Sequence, residues 1–306
     1  MNRPNTFIIG APKCGTSALY SWLRSHPDVF MPTVKEPHYF CYDFEGLRRF
    51  PTEAEYLDLF APATSEHKII GEATSRYLYS REAVPAIREF SPGAKLIVML
   101  RNPIELVHSL HAQLLYQYTE DATDFWTAWR LQRDRKLGRL IPPRCPCVNE
   151  LFYGDVASLG EQMQRMYEWV PRSDCHVILY DDFKKNPLLS YLQTLDFLDL
   201  KDDGRKSFAK INPHKKYRSE LLAKMIVDPP YPLSSIKSGL KQTFGWKETQ
   251  IGRWVYAKMT VPTERAPMDP QIHSELSAFF HDDIQLLSGL LGRDLSHWTR
   301  TQAIAA

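Results

Sequence analysis

The stretch from Thr6 to Pro27 reads TFIIGAPKCGTSALYSWLRSHP, and no other part of the chain restricts the fold as much. A short apolar run, Phe7 to Ile9, ends at Gly10; a tight loop of small residues with Lys13, Cys14, Gly15, Thr16 and Ser17 follows. A helical pattern through Leu19, Trp22 and Leu23 then stops before Pro27. Strand, small-residue loop and helix N-terminus together make an anion site, because exposed backbone N–H groups and the helix dipole both favour a phosphate. Lys13 adds a full charge, and Thr16 and Ser17 add hydroxyl donors. The order is G-x-P-K-x-G-T-S, not the G-x-x-x-x-G-K-[ST] of nucleotide triphosphatases, since the lysine precedes the second glycine.

Other apolar runs at Lys68–Gly71, Lys95–Leu100 and His176–Tyr180 are continuous rather than alternating, as in strands covered on both faces. Helical patterns at Ala83–Phe90, Leu106–Tyr118, Leu159–Val170 and Leu188–Leu198 lie between or beyond them. Alternating strands and helices predict an α/β fold with a P-loop-like central parallel sheet flanked by helices. A further amphipathic helix is expected over Pro270–Leu291, with Gly292 as its C-cap. No linker or repeat divides the 306 residues, so one domain spans 1–306. Two segments, 121–149 and 228–252, are rich in basic residues or in Pro, Gly, Ser and Lys, and read as lid-like loop insertions on the substrate side.

With 43% hydrophobic and 24% charged residues and a net charge of +2, the chain suits a globular protein and argues against a nucleic-acid partner. Met1 to Pro4 lead directly into the first strand, so neither a signal peptide nor a membrane span is expected. Five scattered cysteines without metal spacing fit reduced thiols and a cytoplasmic setting.

A second motif follows the Lys95–Leu100 run, RNPIELVHS from Arg101 to Ser109. Ligands of open α/β sheets bind beyond the carboxyl ends of strands, so Arg101 belongs at the same edge as the Lys13 loop. An arginine and a hydroxyl suit a second phosphate; taken alone they equally suit a surface ion pair and a solvated serine. A third constellation is KEPHYF from Lys35 to Phe40, and a fourth is GEATSRYL from Gly71 to Leu78. His108 and His111 lie one turn apart but lack a third metal ligand, so they read as ordinary helix histidines.

Taken together these motifs resemble the sulfotransferases that use 3′-phosphoadenosine 5′-phosphosulfate (PAPS). The Lys13 loop is similar to their 5′-phosphosulfate loop, and R-x-P-x5-S to their 3′-phosphate motif. The KEPHYF segment resembles the K-E-P-H-F-F segment of the heparan-sulfate-type enzymes, whose glutamate is the catalytic base. The fourth segment resembles their G-E-K-[ST]-P-x-Y. The stretches VILYDDFKKNP, LDFLDL and GRDLSHW look like bacterial members.

The resemblance implies that Lys13, Cys14, Gly15, Thr16 and Ser17 hold the 5′-phosphosulfate, Arg101 and Ser109 the 3′-phosphate, and that Tyr153 stacks near the adenine. Lys215, Lys216 and Arg218 lie where such enzymes often place another 3′-phosphate contact; a solvated charged face is the equal alternative. Glu36 is the implied base, with His38 orienting it or acting as the base itself, and Lys13 stabilises the leaving phosphate of the product 3′,5′-adenosine bisphosphate (PAP). No metal is required. The family's substrate-side lysine falls on Ala73 and its proline on Ser75. That removes a cation and points away from a sulfated glycan, toward a small-molecule, lipid or polyketide-like hydroxylated acceptor, with an amine as the alternative. Arg76 either compensates for the lost cation or forms a structural ion pair. The run from Leu114 to Trp129, with Tyr116, Tyr118, Phe125 and Trp126, either walls an apolar pocket or belongs to the core. Two rival functions share the strand–loop–helix: an ATP- and Mg²⁺-dependent small-molecule kinase and a non-catalytic nucleotide-binding protein.

Overall fold

Fully buried β-branched and aromatic residues place the first strand at the centre. In the computed structural model, which describes residues 2–208, 215–217, 260–262 and 268–300, β1 (Thr6–Gly10) is buried along its whole length. It lies between β3 (Ile69–Ala73) and β4 (Lys95–Leu100), with Thr6 opposite both Gly71 and Lys95. A two-residue strand β2 (Val29–Phe30) and β5 (Cys175–Leu179) complete a five-stranded parallel sheet in the order β2-β3-β1-β4-β5. β2 carries too few residues for any periodicity, which is why no pattern announced it. Phe7, Ile8, Ile9 and all of Leu96 to Leu100 are 0% exposed, as a sheet covered on both faces requires. A separate antiparallel pair joins Lys215–Tyr217 to Thr260–Pro262.

Helices α1 (Thr16–Arg24), α3 (Ala83–Phe90) and α4 (Pro103–Gln117) follow the expected order, and a short α2 (Glu53–Asp58), which no pattern announced, lies between α1 and α3. The start of α4 is set locally: Pro103 occupies its first turn, and the Asn102 side chain accepts from the Ile104 N–H at 2.9 Å. Beyond it lie α5 (Phe125–Lys136), α6 (Tyr153–Ala157), α7 (Leu159–Tyr167), α8 (Tyr180–Lys185) and α9 (Pro187–Phe197).

The structure corrects two expectations here. Segment 121–149 is not simply a loop excursion, because Asp124 caps α5 by accepting from the Thr127 N–H at 2.7 Å. Phe125 and Trp129 are core residues, and Arg135 is buried in a two-pronged pair with Glu120, both bonds 2.6 Å. The tail is two helices, Pro270–Phe279 and His281–Leu291, broken at the fully buried Phe280. The break aims Asp283 at the start of α7, where it accepts from the Gly160 and Glu161 N–H groups, each at 2.9 Å. Gly292 caps the second helix with a left-handed φ of 62°. Among the described residues no helix is long and apolar enough to cross a membrane. The 228–252 insertion and Arg218 lie outside the described residues.

His176 on β5 stacks against Phe197, with centroids 5.3 Å apart, while its Nε2 is buried with no hydrogen-bond partner among the described residues. Burial pushes its pKa down to about 4. Charging it therefore costs stability: its contribution is complete above the unfolded value near 6.5 and is lost as pH falls through 4. The His176→Phe protein is expected to keep its neutral stability and to unfold at lower pH. Circular dichroism across an acid titration checks this; an unchanged or higher acid midpoint would contradict it.

Candidate active site

The loop after β1 is held by its neighbours. The Ala11 N–H donates to the Met99 carbonyl at 2.6 Å, which ties the loop to β4. Gly15 turns the chain into α1 with φ of 95°, a backbone that favours glycine, and a Cβ there would also press to 3.1 Å from the Phe183 ring. The helix carries no side-chain cap and no acidic residue in its first turn, which leaves its N-terminus suited to an anion. Thr16 is buried and Ser17 half-buried. Cys14 is fully buried, its Sγ on the Pro12 carbonyl, and burial pushes the thiol up to about 12. Its side chain is therefore a packing group.

Arg101 stands at the end of β4 and reaches the same loop, Nη1 donating to the Lys13 carbonyl at 3.2 Å. Its Nε donates to Glu105 at 3.0 Å, and its guanidinium lies 4.6 Å above the Tyr180 ring. Ser109, further along α4, is 1% exposed. Tyr153 is not brought to this site. It is fully buried, with its hydroxyl donating to Glu120 at 2.7 Å and its ring against His111 and Phe125, so it offers no face to an adenine. His111 is itself a core residue, bonded to the Ala122 carbonyl at 2.8 Å.

The KEPHYF segment is mounted on the chain just beyond β3. The Glu36 N–H donates to the Ala73 carbonyl at 3.0 Å. The Glu36 carboxylate accepts from the Ser75 N–H at 2.8 Å and the Ser75 hydroxyl at 3.0 Å, and pairs with Lys35. A proline at position 75 would lack that N–H, so the departure from the family pattern supplies the carboxylate with a donor. Burial alone would push the Glu36 carboxyl up, but Lys35, through charge and hydrogen bond, the neighbouring His38 and the Arg76 charge hold it down at about 2. His38 Nε2 lies 3.8 Å from Glu36, beyond hydrogen-bond reach. Burial takes the His38 pKa down to about 4, so the ring is neutral at neutral pH.

Six non-glycine residues among those described have positive φ, and three of them are Lys13 (65°), Glu36 (58°) and His38 (55°). Strained backbone thus concentrates at the residues singled out for chemistry. Arg76 resolves as a buried ion pair with Glu150, 2.8 Å from its Nε, and does not replace the missing lysine at 73. Glu72 carries no role in the sequence reading, yet it is 0% exposed beneath this segment. Its sequence signals are a charge inside an otherwise apolar strand and its place in the GEATSRYL segment.

Lys13, Ser75 and Arg101 follow the carboxyl ends of three adjacent parallel strands, β1, β3 and β4, so the loop, the base segment and the arginine share one edge. The sulfotransferase domain family matches residues 3–224. Carbohydrate sulfotransferase 15 of Mus musculus is 35% identical over 35% of this chain and 26% of its own length. Heparan sulfate glucosamine 3-O-sulfotransferase 6 of Homo sapiens is 42% identical over 37% of this chain and 31% of its own. The chain therefore spans about a quarter to a third of these relatives. The crystal structure of a sulfotransferase from Alicyclobacillus acidocaldarius matches with a TM-score of 0.70 at 25% identity, covering 98% of this chain and 100% of that one. By its matched domain, its fold and the edge on which its motifs meet, the chain belongs to the sulfotransferase family.

Proposed function

We propose that the protein transfers the sulfuryl group of PAPS to the hydroxyl of a small acceptor. The observation that carries this reading is the direct bond between Arg101 and the Lys13 loop, at the edge that also holds an ionised Glu36. In the proposed reaction the acceptor oxygen forms a bond to sulfur as the bond from sulfur to the bridging phosphate oxygen breaks. Lys13 and the α1 N-terminus stabilise the charge left on that phosphate. The acceptor proton passes to Glu36. A carboxylate with so low a pKa is a weak base, but the acceptor hydroxyl becomes strongly acidic as its oxygen bonds to sulfur, so transfer is downhill late in the step.

The cations beside the base are engaged: Lys35 with Glu36, and Arg76 with Glu150. This supports a neutral alcohol, lipid or polyketide-like acceptor over a polyanionic glycan. The five cysteines carry free thiols, which supports a reducing, cytoplasmic setting.

Calorimetric titration with PAP, with AMP and Mg-ATP as controls, tests the donor site. Binding that needs the 3′-phosphate and weakens at least about tenfold in Arg101→Ala is the expected result. Preference for Mg-ATP would establish the kinase alternative. Tight PAP binding with no transfer from labelled PAPS to any of a panel of alcohols and amines would favour a silent binder.

A further inference from the structure

Glu72 is a fully buried carboxylate at the end of β3 whose side-chain partners, among the described residues, are three hydroxyls. Tyr56 donates to it at 2.6 Å, Thr74 at 2.6 Å and Tyr77 at 3.1 Å. A buried charge without a cation is a costly way to fill a core, where an apolar residue would serve stability better. Two of those hydroxyls also touch the base segment: Thr74 Oγ1 accepts from the His38 N–H and the Tyr77 hydroxyl from the Phe40 N–H, each at 3.4 Å. With the bond from the Glu36 N–H to the Ala73 carbonyl, the alternate amides 36, 38 and 40 all rest on residues 73 to 77.

We propose that Glu72 is a positioning residue for the base: it orients the Thr74 and Tyr77 hydroxyls so that they accept the amides that hold Glu36 and His38 in place. A carboxylate can only accept, and a hydroxyl has one proton. Once Thr74 and Tyr77 give their protons to Glu72, only lone pairs remain to face the His38 and Phe40 amides. A glutamine would break this order, because its NH₂ group forces at least one hydroxyl to turn and present a proton to an amide proton. That orientation matters because His38, held this way, and Glu36 two residues before it both have left-handed φ, a conformation the segment would leave if released. Burial pushes the Glu72 carboxyl up, and its hydroxyl partners limit the rise to about 7, so the ionised form prevails above neutral pH.

The role in catalysis rests on Glu36 being the base, whereas the mechanical claim can be tested without any acceptor. Hydrogen exchange of the peptide covering Glu36–Cys41, followed by mass spectrometry at about pH 8, is the readout. Glu72→Gln and Thr74→Val are each expected to speed exchange there about tenfold, and the double variant no more than the faster single, since both release the same segment. Thr74→Ser keeps the hydroxyl and should exchange like the native protein. Exchange in α9 and PAP affinity should stay within about twofold of native, because neither depends on this contact. Native-like exchange at Glu36–Cys41 in Glu72→Gln, additive effects in the double variant, or a rise spread over the whole protein would each overturn the proposal. Should one single variant fail to fold, the other, with Thr74→Ser as its control, decides the question. Failure of the native protein to bind PAP would instead sink the sulfotransferase reading and leave the exchange result standing.

Discussion

Replacing Lys13 with alanine is expected to abolish sulfuryl transfer and leave the fold intact. The ammonium is the one full positive charge between Gly10 and Ser17, and in the proposed reaction negative charge builds on the bridging oxygen beside it as sulfur departs. Removing a preorganised donor of this kind costs on the order of a hundredfold or more in rate, about 3 kcal/mol. Alanine leaves the backbone question untouched, because both residues carry a Cβ at the left-handed φ of 65°. Turnover with labelled PAPS, using any alcohol the native enzyme sulfates, measures the effect, and a melting curve reports the fold. A folded variant that retains a third of native turnover would remove Lys13 from the mechanism.

Glu36→Gln is expected to lose about 10²- to 10⁴-fold in kcat while PAP affinity stays near native, since the change removes a proton acceptor from the acceptor side. Glutamine keeps the shape and one oxygen for the Ser75 donors, so the loss reports chemistry more than geometry. His38→Ala is the companion variant: if it is inactive while Glu36→Gln remains active, the histidine is the base. The pH profile carries a further signature. The Glu36 carboxyl is held at about 2, well below its usual range, so the base is already ionised at pH 5. A neutral His38, at about 4, is likewise ready at that pH. Neither group produces an acid limb between about pH 5 and 8, and a rate that tracks a single ionisation near 6.5 would point to an unshifted histidine instead.

Much of the loop after β1 was legible in the chain because its features are contiguous. A strand end, a lysine in a tight turn, Gly15 at positive φ and an uncapped helix start lie within a dozen residues, and each is set by local backbone sterics. Arg101 was legible for a related reason: it ends an apolar strand and precedes a proline-started helix, and parallel strands deliver their ends to one edge. Readings that depended on surroundings fared differently. Tyr153 had the right residue type near the expected place, but the Glu120–Arg135 pair gives its hydroxyl a buried partner and closes the core around its ring. The tail helix showed one continuous apolar pattern, and the bend at Phe280 is set by where Asp283 meets α7.

What the sequence alone determined is the long central strands β1, β3, β4 and β5 and the turn from β1 into α1, all governed by neighbours a few residues away. Tertiary structure decided the protonation and freedom of the acceptor side. Ser75 grips Glu36 across 39 positions, Glu150 engages Arg76 across 74, and burial raises Glu72 while charge lowers Glu36. The reason is physical: backbone conformation follows from local sterics, whereas a side chain's charge and partners follow from how much water and which opposite charges the folded chain leaves around it.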